Sequence, residues 1–324
     1  MSENIAFIIL LLLPSITLLI FFLKFYKNKE KKNSNLLGSR GFPLIGKTLS
    51  LFKPHPPNTM GRFMEDQISK YGKISSSSIL GREAIISADG ELNQFVMKNN
   101  MGQFVSAWLP AFGEIVGRDS VVFAVGENHK KIRSHIVNCF NMRRLQSLFL
   151  KDADHFASAM MRSWLDGSII SAKTEAIKKV INETLRVSNI ASFILKKIGI
   201  HDVQYKDIIL PQGSLVVLNM TAVHLDSSLY DNPSQFNPWR WLDPSCVTKR
   251  AGSFMPFGGG AKMCPGANLA KLEMAIFLHH LVLNFHWGLA EPLDQPLSQP
   301  YLEFPKGLPI KIRAAMHPKY SFKI

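Results

Sequence analysis

The sequence predicts one mainly α-helical domain with a small β region, behind an N-terminal transmembrane helix. Three observations support this fold class. Apolar residues recur at helical spacing in residues 173–186 and 266–283. Residues 203–209 and 214–220 alternate between apolar and polar as strands do. Residues 5–23 form a stretch without charge that is long enough to cross a bilayer.

The prediction of a membrane anchor depends on residues 5–23 and on the charges beside them. At 1.5 Å per residue this helix would be roughly 28 Å long, close to the hydrocarbon thickness of a bilayer. Five lysines follow it directly: Lys24, Lys27, Lys29, Lys31 and Lys32. Positive charge on that side places the rest of the chain in the cytosol, whereas a cleaved signal peptide carries its positive charge before the apolar stretch. We therefore predict an uncleaved single-pass anchor with its basic flank over residues 1–27.

Residues 28–60 are predicted to be a hinge linker, because their many prolines and glycines interrupt helices. The domain itself is predicted over residues 61–324, and a hydrophobic content of 46% is enough for a large core. The three cysteines, Cys139, Cys246 and Cys264, lie far apart along the chain. A disulfide framework is therefore not expected.

The charge balance is strongly basic, with 38 Lys and Arg against 24 Asp and Glu and a formal net charge of +14. This charge is compatible with nucleic acid, an anionic membrane or an acidic protein partner. The basic residues cluster beside the predicted anchor and within residues 126–150, and no nucleic-acid-binding motif occurs. We therefore predict contact with a membrane and with a protein, and no nucleic-acid partner.

The most informative segment is residues 257–266, FGGGAKMCPG, directly before a predicted helix. A cysteine after a glycine-rich turn at a helix N-terminus has the surroundings that a metal-bound thiolate needs. Glycines allow backbone N–H groups to approach the sulfur, and Lys262 adds positive charge. A phosphate-binding loop is excluded because the GxxxxGK[ST] spacing is absent. An inert cysteine in a tight turn remains the alternative for Cys264 on these residues alone.

This segment resembles the haem-binding loop of cytochrome P450 enzymes, FxxGx[R/H/K]xCxG. Five residues occupy the fixed positions of that pattern: Phe257, Gly260, Lys262, Cys264 and Gly266. The resemblance implies a cytochrome P450 fold and a haem b cofactor whose iron has Cys264 as its axial ligand. It also implies that Lys262 faces a haem propionate where the family usually has Arg, with the charge but without the bidentate fork.

Two further motifs occur in the order that the family has. Residues 183–186, ETLR, resemble the ExxR motif of the K helix, and residues 236–241, FNPWRW, resemble the PxR segment that follows it. Glu183 and Arg186 lie one helical turn apart and can form an ion pair, which Arg240 can join on the same carboxylate. A solvated helix face is the ordinary interpretation of an isolated ExxR, but three motifs in order argue against it.

His129 and Arg133 are spaced i, i+4 and so project from one side of a predicted helix. The resemblance implies that both contact the haem propionates, with His129 in place of the usual Trp. An exposed basic helix face is the alternative, mainly for His129. The resemblance also implies a proximal face that binds NADPH-cytochrome reductase through complementary charge. Four basic residues are candidates for that face: Lys130, Lys131, Arg143 and Arg144.

The strongest resemblance is to plant cytochromes P450 that oxidise sterols in brassinosteroid biosynthesis. Residues 236–241, 269–287 and 304–310 carry it. It implies a lipophilic sterol or terpenoid substrate, with residues 104–121 and 190–193 lining the distal pocket. It also implies an endoplasmic reticulum membrane location, with the domain facing the cytosol.

One departure from the family is large. Only 18 residues separate Trp164 from Glu183, where the family has a long stretch that includes the I helix. The [AG]Gx[DE]T motif of that helix is absent from the sequence, so no catalytic acid or threonine is assigned and the fold is predicted to be truncated. Two functions follow: a haem-thiolate monooxygenase, or a non-catalytic truncated form with impaired haem binding that competes for membrane or reductase partners. Binding of thiolate-ligated haem is the observation that would distinguish these two functions.

Overall fold

The computed structural model describes residue 17 and residues 35–314, apart from residues 43–44, 100–101, 108–109, 118, 140–171, 244–251 and 299–300. The predicted anchor therefore lies outside the described residues except for Thr17. Arg143, Arg144, Trp164 and Cys246 also lie outside them. Within the described part of the chain, no helix has both the length and the apolar character needed to cross a bilayer.

The main sheet has six strands. In spatial order they are β1 (Gly38–Ser39), β2 (Ile74–Ile79), β3 (Arg82–Ser87), β8 (Leu215–Asn219), β5 (Phe193–Ile198) and β4 (Phe104–Ser106). Strands β2 and β3 form a hairpin whose turn, Leu80 and Gly81, has positive φ at both residues. Strand β8 lies between β3, to which it is parallel, and β5, to which it is antiparallel.

Three smaller antiparallel pairs complete the strands of the described part of the chain. They are β6 (Val203–Tyr205) with β7 (Ile208–Leu210), β9 (Phe285–Leu289) with β12 (Ile310–Ala314), and β10 (Leu297–Ser298) with β11 (Leu302–Glu303). Residues 211–213 form the turn that connects β7 to β8, and Ser214 N–H donates to the Pro211 carbonyl there at 3.2 Å. Because β8 pairs with β3 and β5, the segments on either side of this turn enter different sheets.

The helices that surround the sheet are α1 (Thr48–Leu51), α2 (Arg62–Tyr71), α3 (Gly90–Lys98), α4 (Pro110–Val116), α5 (Gly126–Cys139), α6 (Ala172–Val187), α7 (Met220–His224) and α8 (Ala267–Asn284). Short 3-10 helices lie at Pro238–Trp241 and Gly260–Lys262. Side-chain caps define the starts of helices α3 and α7. Asp89 accepts from Leu92 N–H and Asn219 accepts from Ala222 N–H, each at 2.7 Å.

The core lies on both faces of the main sheet. On β8, Val216 and Leu218 pack in one apolar cluster, whereas Leu215 and Val217 pack in another. Successive side chains of a strand point to opposite faces, so the two clusters cover the two sides of the sheet. All five residues of β8 are buried, as expected for a central strand with both faces covered.

The prediction of a mainly α fold is correct only in part, because helices and a six-stranded sheet together form the structure. Local periodicity underestimates the sheet because β8 pairs with β3, about 130 residues earlier in the sequence, and β5 pairs with β4, about 90 residues earlier. The predicted hinge, residues 28–60, includes β1, which pairs with β2, and α1. Its described part therefore packs against the domain.

Candidate functional site

The loop that contains Cys264 folds back on itself immediately before α8. Cys264 N–H donates to the Phe257 carbonyl at 3.0 Å, and Met263 N–H donates to the Gly260 carbonyl at 3.1 Å. The Cys264 side chain is exposed. The loop thus presents its sulfur outward at the start of a helix, which is the placement a metal-binding thiolate requires.

Gly260 and Gly266 of the loop differ in how strictly the structure requires glycine. Gly260 has a φ of +64°, and a Cβ atom there would lie 2.0 Å from the Met97 carbonyl oxygen at the end of α3. Only glycine permits this contact between the loop and α3. Gly266 has an ordinary φ of −87°, and a Cβ there would meet only the Cys264 sulfur, at 3.9 Å. A Cβ at 266 would thus make only an ordinary van der Waals contact, so neither backbone strain nor a close approach requires glycine there.

Two arginines, one of them 57 residues away in sequence, meet at the buried carboxylate of Glu183. Glu183, on α6, is 0% exposed, and both its oxygens accept hydrogen bonds. The donors are Arg186 Nε at 3.0 Å, Arg186 Nη2 at 2.8 Å, Arg240 Nε at 2.9 Å, Asn237 N–H at 2.9 Å and Trp241 Nε1 at 3.1 Å. The structure thus brings Glu183, Arg186 and Arg240 together as a buried charged cluster.

The two guanidinium groups of this cluster also hold backbone carbonyls. Arg186 donates to the carbonyls of His224 at 2.8 Å and Pro233 at 2.7 Å, and Arg240 donates to that of Asp231 at 2.7 Å. Burial by itself raises the pKa of Glu183, but the hydrogen bonds from Arg186 and Asn237 and the charges of both arginines lower it overall. The carboxylate is therefore ionised, and the cluster fixes residues 231–237 against α6.

His224 connects this charged cluster to the cysteine loop. Its ring is completely buried, and Nε2 accepts a hydrogen bond from Met255 N–H at 3.0 Å, two residues before Phe257. Burial, followed by the charge of Arg186, lowers the pKa of His224 to about 3. The imidazole is therefore neutral at neutral pH, which is the form that can accept from Met255.

This neutral histidine makes the free energy of unfolding depend on pH. His224 stays neutral in the folded protein, whereas in the unfolded chain its pKa returns to about 6.5, so unfolding takes up a proton below that pH. Between pH 6.5 and 5, His224 is expected to lower the stability by roughly 1.4 kcal/mol per pH unit. The urea midpoint of the full-length protein, measured across this range, tests the prediction.

The matched variants for that test are His224→Gln and His286→Gln. Gln keeps an acceptor near the Met255 N–H but does not titrate, so the pH dependence should become shallower by about one proton. His286 lies exposed on β9 and is hydrated in both states, so its replacement should leave the slope unchanged. Equal slopes for the parent chain and His224→Gln would contradict the prediction.

Helix α5 brings two further predicted site residues to the cysteine loop. Arg133 Nη1 donates to the Met263 carbonyl at 2.7 Å. His129 is only 2% exposed, so it does not belong to an exposed basic face. Burial, then the charges of Lys262 and Arg133, lower the pKa of His129. Lys130 and Lys131, in contrast, are exposed on the same helix.

Lys262 has partners that the sequence pattern does not indicate. Its Nζ donates to the carbonyls of Val122 at 3.2 Å and Ala124 at 2.9 Å, just before α5. Burial lowers the pKa of Lys262. The resemblance implies a propionate partner for Lys262, whereas the described contacts are with backbone oxygens.

Lys196, on β5, is a site residue that sequence reasoning missed. Its side chain is buried, and its described hydrogen bond is a long one of 3.4 Å to Ser106 Oγ. Burial, and then the charge of Lys262, lower its pKa to about 8. The available sequence signal was a lysine pair, 196–197, inside a strand-like segment.

These cations provide a test of whether the residues fit the haem group. Lys262 lies within electrostatic range of both His129 and Lys196, and Arg133 lies within range of His129. Among the described residues, the interactions that shift the pKa values of His129, Lys196 and Lys262 include no carboxylate. A bound carboxylate would stabilise the charged forms of these side chains and would raise the lowered pKa values of His129 and Lys196. Haem carries two propionate carboxylates beside an iron that accepts a cysteine ligand. The donor set therefore fits haem.

The segments predicted to line a substrate pocket occupy different places. Residues 104–106 form β4, which pairs with β5, and Pro110–Val116 form α4. Ser192 and Phe193 line a cavity of about 410 Å³ together with apolar side chains of α1, α2 and the segment between them. Basic side chains also line this cavity: Lys47, Lys53 and Arg62.

Comparison with known proteins identifies the family. A model of the cytochrome P450 family matches residues 171–309, which include the charged cluster and the cysteine loop. A cholesterol 22-monohydroxylase of Paris polyphylla, CYP90B52, is 30% identical over 94% of this chain and 99% of its own length. The chain belongs to the cytochrome P450 family. A steroid (22S)-hydroxylase of Brachypodium distachyon is 28% identical over 88% of this P450 and 89% of its own length.

A solved structure shows the same fold. Cyanobacterial CYP120A1 with bound retinoic acid superposes with a TM-score of 0.73 over 87% of this P450 and 100% of that chain, at 16% identity. The alignment with the Paris polyphylla relative runs over 471 positions, although this P450 has 324 residues. Many positions of the relative therefore have no counterpart here, as the short interval before Glu183 predicts. Membership of the family implies a haem-iron cofactor.

Proposed function

We propose that this P450 is a haem-thiolate monooxygenase that hydroxylates a sterol or related lipophilic terpenoid. The observation that carries the proposal is the alignment, over 94% of the chain, with an enzyme named for hydroxylating cholesterol at carbon 22. The steroid (22S)-hydroxylase of Brachypodium distachyon supports the same substrate class and position. We therefore propose the sterol side chain as the site of hydroxylation.

The residues of the site have distinct proposed roles. Cys264, whose side chain is exposed, would ligate the iron of haem b. Lys196, with His129 and Arg133, would neutralise the propionates. Haem, when bound through a thiolate, supplies the activation of oxygen for insertion into a C–H bond. The cluster of Glu183, Arg186 and Arg240 would hold the surrounding backbone rather than contact substrate.

The proposed partners follow from charge and from the apolar N-terminus. Lys130 and Lys131 are exposed on α5 and would contribute to docking of NADPH-cytochrome reductase. Residues 1–27 would anchor the chain in the endoplasmic reticulum membrane with the domain in the cytosol. The proposed substrate is lipophilic, because the relatives aligned with this P450 are named for hydroxylating sterols.

Two observations favour a second candidate function, a non-catalytic form with impaired haem binding. The oxygen-site motif [AG]Gx[DE]T is absent from the sequence. Helix α8 is strongly apolar, yet Phe277 and Val282 are 41% and 57% exposed. A helix with so much apolar surface normally packs against neighbours on several sides, and the described residues leave these two side chains partly uncovered. Such a form would compete for membrane or reductase partners.

The experiment that separates these functions uses the full chain, haem, reductase and NADPH. A thiolate-type Soret band in the reduced, carbon-monoxide-bound difference spectrum, followed by conversion of cholesterol to a 22-hydroxylated product, is the expected result. Cholesterol that already carries the 22-hydroxyl group is the matched control and should not give that product. A thiolate band without turnover, or no band, would contradict the monooxygenase and favour the non-catalytic form.

A further inference from the structure

We propose that Lys262 and Arg133 form a reciprocal clamp that holds the start of α5 against the cysteine loop and positions Cys264. The clamp consists of the hydrogen bonds from Lys262 to the carbonyls of residues 122 and 124, and from Arg133 to the carbonyl of residue 263. Each cation reaches out of its own segment and binds the backbone of the other. Lys262 is thus a positioning residue that acts through main-chain oxygens.

The bond from Arg133 acts on the peptide group directly before the cysteine. The carbonyl of that peptide, on Met263, accepts from Arg133 at 2.7 Å. Its N–H, on Cys264, donates to the Phe257 carbonyl at 3.0 Å. Because a peptide group is planar, holding both its oxygen and its hydrogen fixes its orientation, and with it the position of the Cys264 Cα atom from which the side chain extends.

The bonds from Lys262 act on the segment that leads into α5. Val122 and Ala124 precede Gly126, whose φ of +58° turns the chain into the helix. A protonated amine that donates to two carbonyls makes charge-assisted hydrogen bonds, which are stronger than neutral ones. Holding this segment also keeps His129 buried beside the loop. The two halves of the clamp therefore stabilise each other.

Amide hydrogen exchange of the full-length protein, read peptide by peptide, tests the clamp. In Lys262→Met, exchange in residues 122–133 should accelerate about tenfold or more, the effect expected for the loss of hydrogen bonds to a charged group. In Arg133→Met, exchange should accelerate in residues 257–264, on the other side of the contact. Lys131→Met removes an equal charge from an exposed position of α5 and is the matched control, which should leave both segments unchanged.

The conservative variant Lys262→Arg separates donation to carbonyls from a general loss of structure. Arginine keeps the charge and several N–H donors, so residues 122–133 should regain protection. Exchange in β8 reports global opening of the protein. If Lys262→Met also accelerates exchange in β8, the exchange measured for Lys262→Arg decides whether lost hydrogen bonds or a general loss of structure cause the effect. Unchanged exchange in Lys262→Met, or equal loss of protection in Met and Arg variants, would overturn the clamp. Its importance for haem rests on the proposed function, but these measurements need no haem and are independent of catalysis.

Discussion

Replacing Glu183 by Gln is expected to unfold the protein at urea concentrations that leave the parent chain folded. The substitution preserves size but removes the charge that compensates two buried guanidinium groups, and its amide N–H groups would face the donors of Arg186 and Arg240. Removing one partner of a buried ion pair costs about 3–5 kcal/mol. Typical domains have a total stability of about 5–15 kcal/mol. Tryptophan fluorescence and far-ultraviolet circular dichroism during urea unfolding measure the loss.

Glu91→Gln is the matched control for this prediction. Glu91 pairs with Lys206 on the surface, where both side chains are more than half exposed, and such pairs contribute little. Its urea midpoint should therefore equal that of the parent chain. If Glu183→Gln had the parental midpoint as well, the buried cluster would not be a principal source of stability, and its role would have to be sought elsewhere.

The elements that the sequence predicts well are those whose pattern is local. Helix α6 has apolar residues at helical spacing, and two of them, Ile181 and Leu185, are 3% exposed. Helix α8 likewise lies close to its predicted position. In both cases neighbouring residues determine the element through their periodicity.

The main sheet is harder to predict because distant strands assemble it. Strand β8 pairs with β3 and β5, and nothing in its five residues specifies those partners. Strand β2, ISSSSI, lacks the apolar alternation of a typical strand, yet Ser75 and Ser77 are buried. Their hydroxyl groups find acceptors: Ser75 donates to Gln67 and Ser77 donates to the Ser39 carbonyl, each at 3.0 Å. Satisfied polar groups allow a serine-rich strand in a covered sheet.

The candidate site, like the fold, has a part that the sequence predicts and a part that it does not predict. The motifs identify Glu183, Arg186 and Arg240, which the structure places at hydrogen-bonding distance although 54 residues separate the second from the third. The motifs do not reveal the carbonyl partners of Lys262, the buried charge of Lys196 or the neutral His224. Each of these depends on a contact between segments that no single stretch of sequence contains.

Replacing Cys264 by Ser is expected to abolish the thiolate signature of haem in the reduced, carbon-monoxide-bound difference spectrum. A serine hydroxyl has a pKa far above that of a thiol and does not supply the soft anionic sulfur that this spectrum reports. The substitution is nearly isosteric at an exposed position, so the fold, followed by far-ultraviolet circular dichroism, should be unchanged. The effect is all-or-none, because Cys264 is the only cysteine of the loop.

Cys139→Ser is the control, since Cys139 is also exposed and lies at the end of α5, away from the residues of the loop. It should retain whatever thiolate band the parent chain shows, with equal intensity per bound haem. A thiolate band in Cys264→Ser would show that another cysteine ligates the iron and would overturn the assignment of Cys264. Loss of the band in Cys264→Ser alone would place the ligand at the start of α8. Haem requires a soft axial donor and positive charge that compensates its propionates. The exposed sulfur of Cys264 supplies the first, and the basic side chains of α5 and β5 supply the second.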